Sequence, residues 1–211
     1  MKKKYCGKFI VIDGPDGGGK TTQTGLLADH LSSKHIPFIK IREPGSTRIG
    51  EKIRKILLNP LFKDISLMTE LFLYMACRAQ LVEEIIKPAL KSGRIVLCER
   101  FLSSSIAYQG KAGGLGEKTV RQIGLVATDR IKPDLTIILD ISTAHGLTRI
   151  RHRKKNSLDR IEARRLEFHK KVRAGFRKLA GQDPAKVKLI DASEPVALVQ
   201  ARIRKLIDYV I

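Results

Sequence analysis

A glycine-rich segment that directly follows an apolar run constrains the fold of this chain more than any other feature. Residues 8–13 read KFIVID, and residues 14–21 read GPDGGGKT. The second stretch matches Gly-x-x-x-x-Gly-Lys-Thr and lies between a predicted buried strand and a predicted helix. Glycines let the backbone wind around phosphate groups with its N–H groups pointing inward, and the dipole of the following helix adds positive charge there. The segment therefore predicts a nucleoside triphosphate site, the phosphate loop, formed by Gly14, Pro15, Asp16, Gly17, Gly18, Gly19, Lys20 and Thr21.

Three side chains of the phosphate loop have expected chemical roles. Lys20 is expected to reach the β- and γ-phosphates, and the hydroxyl group of Thr21 is expected to contact Mg²⁺. Asp16 is unusual, because a carboxylate among phosphate-binding groups is electrostatically costly unless it binds a hydroxyl group or a cation. The alternative for Asp16 is a simple turn residue. The motif indicates nucleotide chemistry but does not say which reaction follows.

Short apolar runs alternate with longer segments of helical periodicity along the chain. Strands are predicted at residues 8–13, 38–42, 94–98, 135–140 and 187–191. Helices are predicted at residues 20–34, 66–91, 119–131, 143–153, 160–180 and 198–210. Strands that alternate with helices form a parallel sheet covered on both faces. Because no linker divides the chain, we predict an α/β fold in a single domain over residues 1–211.

The composition excludes several classes of protein. The 211 residues are 43% hydrophobic, which is enough for a packed core, and no apolar run approaches the ~18–20 residues of a membrane span. The apolar run near the N-terminus is also too short for the ~7–15-residue core of a signal peptide. Cys6, Cys77 and Cys98 form an odd set without metal-ligand spacing, so we expect buried thiols without disulfides. A cytoplasmic protein is the corresponding expectation.

The charge balance predicts an anionic partner. Lys and Arg number 41 against 21 Asp and Glu, for a net charge of +20, and half of this excess lies in residues 147–178. Nucleic acid, a membrane surface or a phosphorylated small molecule would each fit such a chain. A solvated basic helix is the alternative for that segment.

Polar side chains gather where the predicted strands end, which is where parallel sheets bind ligands. Arg42 and Arg100 lie at two of these ends and Arg78 lies on the long helix between them, so the three could form an anion site beside the phosphate loop. Tyr74 and Arg78 are four residues apart and share one helix face, where the ring could stack on a base. The edge of an amphipathic helix is an equally good explanation of that pair. Gln109 offers a donor and an acceptor to the edge of a base.

Together these stretches resemble the thymidylate kinases, a family of nucleoside-monophosphate kinases. The resemblance covers nearly the whole chain through GPDGGGKTT, REPGST, LFLYMACRAQ, ERFLSSSIAYQG, PDLTIILD, LDRIE and FHKKVRAGF. REPG and SSxAYQG are specific to this family among phosphate-loop kinases. The resemblance implies a P-loop nucleoside-monophosphate-kinase fold and transfer of a phosphoryl group from ATP to dTMP with Mg²⁺, in dTTP biosynthesis. It also implies a homodimer, with neither a membrane nor a nucleic acid as partner.

The resemblance implies roles for residues around the acceptor nucleotide. Tyr74 would stack on thymine, and Gln109 would form a hydrogen bond with the edge of the base. Arg78 and Arg100 would hold the phosphate of dTMP, and Asp16 would orient the nucleotide through its sugar hydroxyl and the neighbouring arginines. The implied acceptor site comprises Arg42, Pro44, Tyr74, Arg78, Arg100, Ser105, Tyr108 and Gln109.

The basic segment resembles the lid of the family, an insert at about residues 147–160 that closes on ATP. The phosphate loop has no basic residue between Gly14 and Gly19, which is the pattern of bacterial-type members with a catalytic arginine in the lid. The candidates are Arg149, Arg151, Arg153 and Arg160, and we favour Arg153 and Arg160. The implied catalytic set is Asp16, Lys20, Arg100, Arg153 and Arg160, because phosphoryl transfer depends on positioning and charge neutralisation.

The chain departs from the family pattern at one predicted metal ligand. Thr21 and Glu99 are the predicted ligands of Mg²⁺, but the family usually has Asp-Arg-Tyr where this chain has Glu99-Arg100-Phe101. The family also usually has a cis bond at the position of Glu43–Pro44.

Two other functions stay open at this point. One is a nucleotide kinase that prefers dUMP, since Gln109 alone does not exclude uracil. The other is a nucleic-acid-binding ATPase, which the net charge of +20 favours, although the aromatic content is only 5% and no nucleic-acid-reading motif is present.

Overall fold

The computed structural model of the chain describes residues 5–154 and 158–211, without the side chains of residues 153 and 154. Its strands are β1 (Phe9–Asp13), β2 (Phe38–Arg42), β3 (Ile95–Glu99), β4 (Leu135–Asp140) and β5 (Val187–Asp191). Within the described residues these five strands form one parallel sheet in the order β2-β3-β1-β4-β5. The predicted α/β fold is confirmed, and each strand lies within one residue of its predicted position.

The helices cover both faces of the sheet. They are α1 (Lys20–Ser33), α2 (Arg48–Leu58), α3 (Leu67–Leu81), α4 (Lys87–Lys91), α5 (Leu102–Ser105), α6 (Glu117–Ala127), α7 (Thr143–Lys154), α8 (Leu166–Gln182) and α9 (Val196–Val210). A π-helical turn at Val82–Ile86 joins α3 to α4, and a second one at Ile106–Ala112 extends α5. Ile10 and Ile12 of β1 pack in the core cluster that contains α1 and α9, whereas Phe9 and Val11 pack in the cluster around α4. Every residue of β1 is therefore buried, as expected for a central parallel strand.

The order of the strands determines where a ligand can bind. The chain moves from β1 towards β2 and β3 on one side and returns to β4 and β5 on the other, so the sheet has its switch point beside β1. Ile12 is level with Glu99 of β3, and Glu99 is level with Arg42 of β2. The carboxyl ends of three neighbouring strands thus open at one edge, directly below the phosphate loop.

The structure differs from the sequence analysis at several points of local structure. Helix α2 was missed, although the side chain of Thr47 accepts a hydrogen bond from Gly50 N at 2.9 Å and starts the helix as an N-cap. The helix predicted from residue 160 begins at Leu166, because the Asp159 side chain holds the preceding residues in a turn by accepting hydrogen bonds from the N–H groups of Ile161 and Glu162. The helical segment from α5 through the second π-helical turn was not predicted. Cys6 is exposed, whereas Cys77 and Cys98 are buried as expected.

The second π-helical turn is held rigidly against α8. A Cβ on Gly175 of α8 would lie only 3.1 Å from Ala107 Cα, so the two backbones pack without room for a side chain. The ring of Tyr108 packs edge-on against Phe168 and Phe176, with centroids 6.1 Å apart in both cases. This packing fixes the two residues of the turn, Tyr108 and Gln109, that were predicted to bind the acceptor nucleotide.

None of the helices in the described parts of the chain combines the length and the apolar character that crossing a bilayer requires.

Candidate active site

A cavity of about 650 Å³ opens at the carboxyl ends of β1, β2 and β3. Its volume falls in the range of small-molecule sites. Phosphate-loop residues line one side, α3 and the second π-helical turn line another, and α7 with the residues after β5 line a third. The predicted site residues that line it are Asp16, Gly17, Gly18, Gly19, Lys20, Thr21, Arg42, Pro44, Tyr74, Arg78, Glu99, Arg100, Ser105, Tyr108 and Gln109.

The phosphate loop has the backbone conformation that its glycines permit. Gly14, Gly17 and Gly19 have φ angles of +133°, +76° and +82°, a region that other residues rarely adopt. A Cβ on Gly17 would also lie 2.2 Å from Gly146 O of α7, so the loop and α7 meet backbone to backbone. Only glycine fits this contact.

Lys20 points into the loop. Its Nζ donates hydrogen bonds to Gly14 O at 3.0 Å and to Pro15 O at 2.7 Å. Burial, followed by the positive charge of Arg100, lowers the pKa of Lys20 to about 8. An anion bound in the loop would favour the charged form, so the ammonium group is placed to meet phosphate.

Asp16 connects the loop to the opposite side of the cavity. Its Oδ1 pairs with Arg100 Nη2, and its Oδ2 accepts a hydrogen bond from the hydroxyl group of Tyr108 at 2.7 Å. Burial alone would raise the pKa of Asp16, but the charges of Arg100 and Lys20 bring it below its usual value. The guanidinium of Arg100 also lies over the Tyr108 ring, 5.2 Å from its centroid. A carboxylate in the loop is therefore balanced by a cation and a hydroxyl group.

Arg78 is held inside the wall of the cavity. Its side chain is only 1% exposed, and Nε donates to the two carboxylate oxygens of Glu43 at 3.1 and 2.8 Å. Its Nη2 donates to Phe101 O at 3.1 Å and to Ser105 Oγ at 3.0 Å. The bond between Glu43 and Pro44 is cis, as predicted. The structure thus uses Arg78 to tie α3 to the segment after β2 and to α5, whereas Arg100 is the arginine beside the phosphate loop.

A buried carboxylate lies behind the residues expected to contact a base. Glu70 Oε1 accepts a hydrogen bond from Gln109 Nε2 at 2.8 Å. Its Oε2 lies 2.7 Å from Arg160 Nη1 and 2.7 Å from Arg164 Nη2. Burial, followed by the negative charge of Glu70, raises the pKa of Tyr74, so its phenol stays neutral at pH 7.

The predicted lid arginines are placed differently from expectation. Arg160 is buried, donates from Nε to Leu57 O at 2.8 Å and pairs with Glu70, so the structure holds it beside Glu70 and not at the phosphate loop. The side chain of Arg153 lies outside the described residues, and Arg151 is exposed on α7. Arg149 lines the cavity and donates from Nη1 to Ala192 O at 3.1 Å and to Gly17 O at 3.4 Å. The predicted lid residues 147–154 form the last turns of α7.

The two predicted metal ligands meet beside the loop. Thr21 Oγ1 donates a hydrogen bond to Glu99 Oε1 at 3.0 Å, and both residues line the cavity. The longer side chain of Glu99 therefore reaches Thr21. Mg²⁺ takes oxygen ligands and is usually bound by one or two protein groups together with water and substrate phosphates. A hydroxyl and a carboxylate next to a phosphate loop fit that donor set.

Comparison with known proteins decides the family. The family model described as "Thymidylate kinase" matches residues 12–203. The chain belongs to the thymidylate kinase family. It is 45% identical over 199 residues to the thymidylate kinase of Exiguobacterium sibiricum, covering 94% of this chain and 93% of that relative. It is 43% identical over 203 residues to that of Symbiobacterium thermophilum, covering 96% and 94% of the two chains.

A solved structure agrees with this assignment. The crystal structure of thymidylate kinase from Ehrlichia chaffeensis is similar to this chain with a TM-score of 0.76 and 31% sequence identity, covering 95% of this chain and 98% of that one. The resemblance to thymidylate kinases and the P-loop nucleoside-monophosphate-kinase fold are confirmed.

Several residues of this family member's site were not predicted from the sequence. Asp13 is fully buried and accepts hydrogen bonds from Ser103 Oγ at 2.5 Å and from Ser104 Oγ at 2.7 Å, which anchors α5 to the end of β1. Arg54 lines the cavity and donates to Pro44 O at 2.8 Å. Arg54 was missed because its helix α2 was not predicted. The spacing of Glu70 and Tyr74, four residues apart on α3, could have indicated Glu70.

Proposed function

We propose that this chain transfers the γ-phosphoryl group of ATP to dTMP, giving ADP and dTDP, with Mg²⁺ as cofactor. The observation that carries the proposal is the contact of Asp16 with Arg100 and Tyr108, which joins the phosphate loop to the side of the same cavity that Tyr74 and Gln109 line. Membership of the thymidylate kinase family supports dTMP as the acceptor. Such a reaction takes place among small molecules, so a cytoplasmic enzyme without a membrane or nucleic acid partner is part of the proposal.

The phosphate loop would bind the donor. Its backbone N–H groups and Lys20 would hold the β- and γ-phosphates, because the loop lies at the start of α1 and its glycines have positive φ angles. Thr21 and Glu99 would hold Mg²⁺, which when bound neutralises charge on the phosphates. No protein nucleophile is needed, since an oxygen of the acceptor phosphate attacks the γ-phosphorus and the bond to the β-phosphate oxygen breaks.

The opposite side of the cavity would bind the acceptor. Tyr74 would stack on thymine, and Gln109 would contact the edge of the base. Arg100 would hold the acceptor phosphate near the loop, with Arg42 and Arg54 at the rim of the cavity. Arg78, Ser105 and Pro44 would shape the wall, since Arg78 already bonds to Ser105 and Glu43.

A substrate panel tests the proposed function. We expect the wild-type chain to release ADP from ATP with dTMP at least about a hundredfold faster, in kcat/KM, than with AMP, GMP or CMP, because Tyr74 and Gln109 would bind a thymine. The check is a coupled ADP-release assay with each monophosphate, run with and without Mg²⁺. A preference for dUMP over dTMP would show that the chain is a nucleotide kinase with a different acceptor. ADP release that depends on duplex DNA and not on a monophosphate would overturn it.

We propose that an arginine of α7 supplies the positive charge that stabilises the transferred phosphoryl group. Arg149 touches the phosphate loop, and Arg153 is four residues further along the same helix. A guanidinium beside the transferred phosphoryl group is worth about 10³–10⁵ in rate, whereas a solvated arginine is worth almost nothing. We expect Arg149→Ala or Arg153→Ala to lower kcat by about a hundredfold or more at saturating substrates.

The exposed Arg151 of the same helix provides the matched control for this test. Arg151→Ala should keep kcat within about twofold of wild type, because its charge is screened by solvent. Near-normal kcat in the double variant Arg149→Ala/Arg153→Ala would show that α7 supplies only surface charge.

We also propose that two copies of the chain associate through α3 and α6. Phe72 on α3 is 55% exposed and Val126 on α6 is 82% exposed, and large exposed apolar side chains on neighbouring helices indicate a contact surface. Sedimentation equilibrium should give about twice the chain mass of 23.6 kDa for wild type and for Tyr209→Asp on α9. Phe72→Asp/Val126→Asp should sediment as a monomer, and a monomeric wild type would rule out the dimer.

A further inference from the structure

We propose that Glu70 is a positioning residue that fixes the orientation of the Gln109 amide and so determines which pyrimidine edge the cavity accepts. The inference rests on the proposed function, and it adds a specificity determinant that does not touch the substrate. The cavity would accept nucleotides of 2,4-diketo pyrimidines and would exclude those of 4-amino pyrimidines.

Glu70 is hydrogen-bonded directly to one of the residues expected to read the base. Its side chain is fully buried, and it lies four residues before Tyr74 on α3. Gln109 on the second π-helical turn donates from Nε2 to Glu70 Oε1 at 2.8 Å, and Gln109 itself lines the cavity. Glu70 does not line the cavity, and among its hydrogen-bond and ion-pair partners in the described parts of the chain Gln109 is the one that does.

The chemistry of the carboxylate decides the direction of the amide. An ionised carboxylate only accepts hydrogen bonds, so the NH₂ group of Gln109 must face Glu70 and its carbonyl oxygen is the end left for the cavity. A carbonyl oxygen accepts from the N3–H group that thymine and uracil carry. Cytosine has a lone pair at N3, and two acceptors facing each other leave both without a donor. A buried polar site rejects a ligand that leaves its groups unpaired far more strongly than an apolar site rejects a missing methylene.

Two arginines pair with the other oxygen of the Glu70 carboxylate. Arg160 Nη1 and Arg164 Nη2 each lie 2.7 Å from Oε2, which leaves Oε1 for Gln109. A buried carboxylate without such partners would be strongly destabilising. The guanidinium of Arg164 is itself held over the Phe168 ring, 4.5 Å from its centroid. Arg160 therefore has a role on the acceptor side, through Glu70, in place of the catalytic role expected from the sequence.

The test compares three nucleotides in the full-length enzyme. The ratio of kcat/KM for dTMP to that for 5-methyl-dCMP reports the N3 and C4 positions together, because both bases carry the methyl group and differ only in having N3–H with a 4-keto group or an unprotonated N3 with a 4-amino group. The ratio for dTMP to dUMP reports only the methyl group, because both bases carry N3–H. We expect wild type to prefer dTMP over 5-methyl-dCMP by at least about a hundredfold. In Glu70→Gln this preference should fall by about tenfold or more, since an amide at position 70 accepts either end of Gln109, while the dTMP to dUMP ratio stays within about twofold.

A charge-matched pair of variants protects the test against loss of folding. Arg164→Gln removes one cation but leaves the bond between Glu70 and Gln109, so it should keep the wild-type ratios. Glu70→Gln/Arg164→Gln removes an anion and a cation together, which preserves the net charge of the cluster, and it should lose the discrimination. Thermal unfolding shows which variants are folded.

Each result has a definite meaning. Unchanged preference for dTMP over 5-methyl-dCMP in a folded Glu70→Gln or double variant overturns the inference, and so does a wild type that uses both nucleotides equally well. A parallel fall in both ratios would show that Glu70 only supports the shape of the cavity, which also overturns it. A wild type that does not phosphorylate dTMP overturns the proposed function itself, and the inference falls with it.

Discussion

The pairing of Asp16 with Arg100 is the interaction on which the rest of the site depends. Asp16 belongs to the loop after β1, and Arg100 follows β3, the neighbouring strand in the sheet. Arg100 has a φ of +67°, a left-handed conformation that costs a residue with a side chain roughly 1–2 kcal/mol. Its bonds to Asp16 and to Ser104 Oγ, at 3.1 Å for the latter, offset that cost. The pair places a cation between the phosphate loop and Tyr108, so the two sides of the cavity form one site.

The strands and the phosphate loop could be predicted from the sequence because both depend on local pattern. A parallel strand covered on both faces reads as an uninterrupted apolar run, as in FIVID of β1 and LTIILD of β4, and all six residues of β4 are buried. The loop carries its own signature in the spacing of glycines and Lys20. The placement of Tyr74 and Gln109 on the cavity was also expected, from their resemblance to a family pattern.

The contacts that hold the site together could not be predicted, because they join residues that are distant in the sequence. Glu70 bonds to Gln109, 39 residues away, and to Arg164, 94 residues away, and no spacing rule joins such positions. Such contacts also explain part of the positive charge of residues 147–178. Arg160 and Arg164 are paired with Glu70, and Arg173 and Arg177 bond to the buried Asp140 at 2.7–2.9 Å and 2.8 Å. Part of that positive charge therefore balances buried acids inside the protein, and only the remainder is available to an external anion.

Asp16 lies within the phosphate loop, and we propose that it nevertheless acts on the acceptor nucleotide. The most direct measurement is the KM for each substrate in Asp16→Asn, with Tyr108→Phe as the variant that removes only the hydroxyl group bonded to Asp16. We expect Asp16→Asn to raise the KM for dTMP by about tenfold or more and to leave the KM for ATP within about twofold, and Tyr108→Phe to raise the KM for dTMP as well. A KM for ATP that rises as much as the KM for dTMP would contradict it, because Asp16 would then serve the phosphate loop alone.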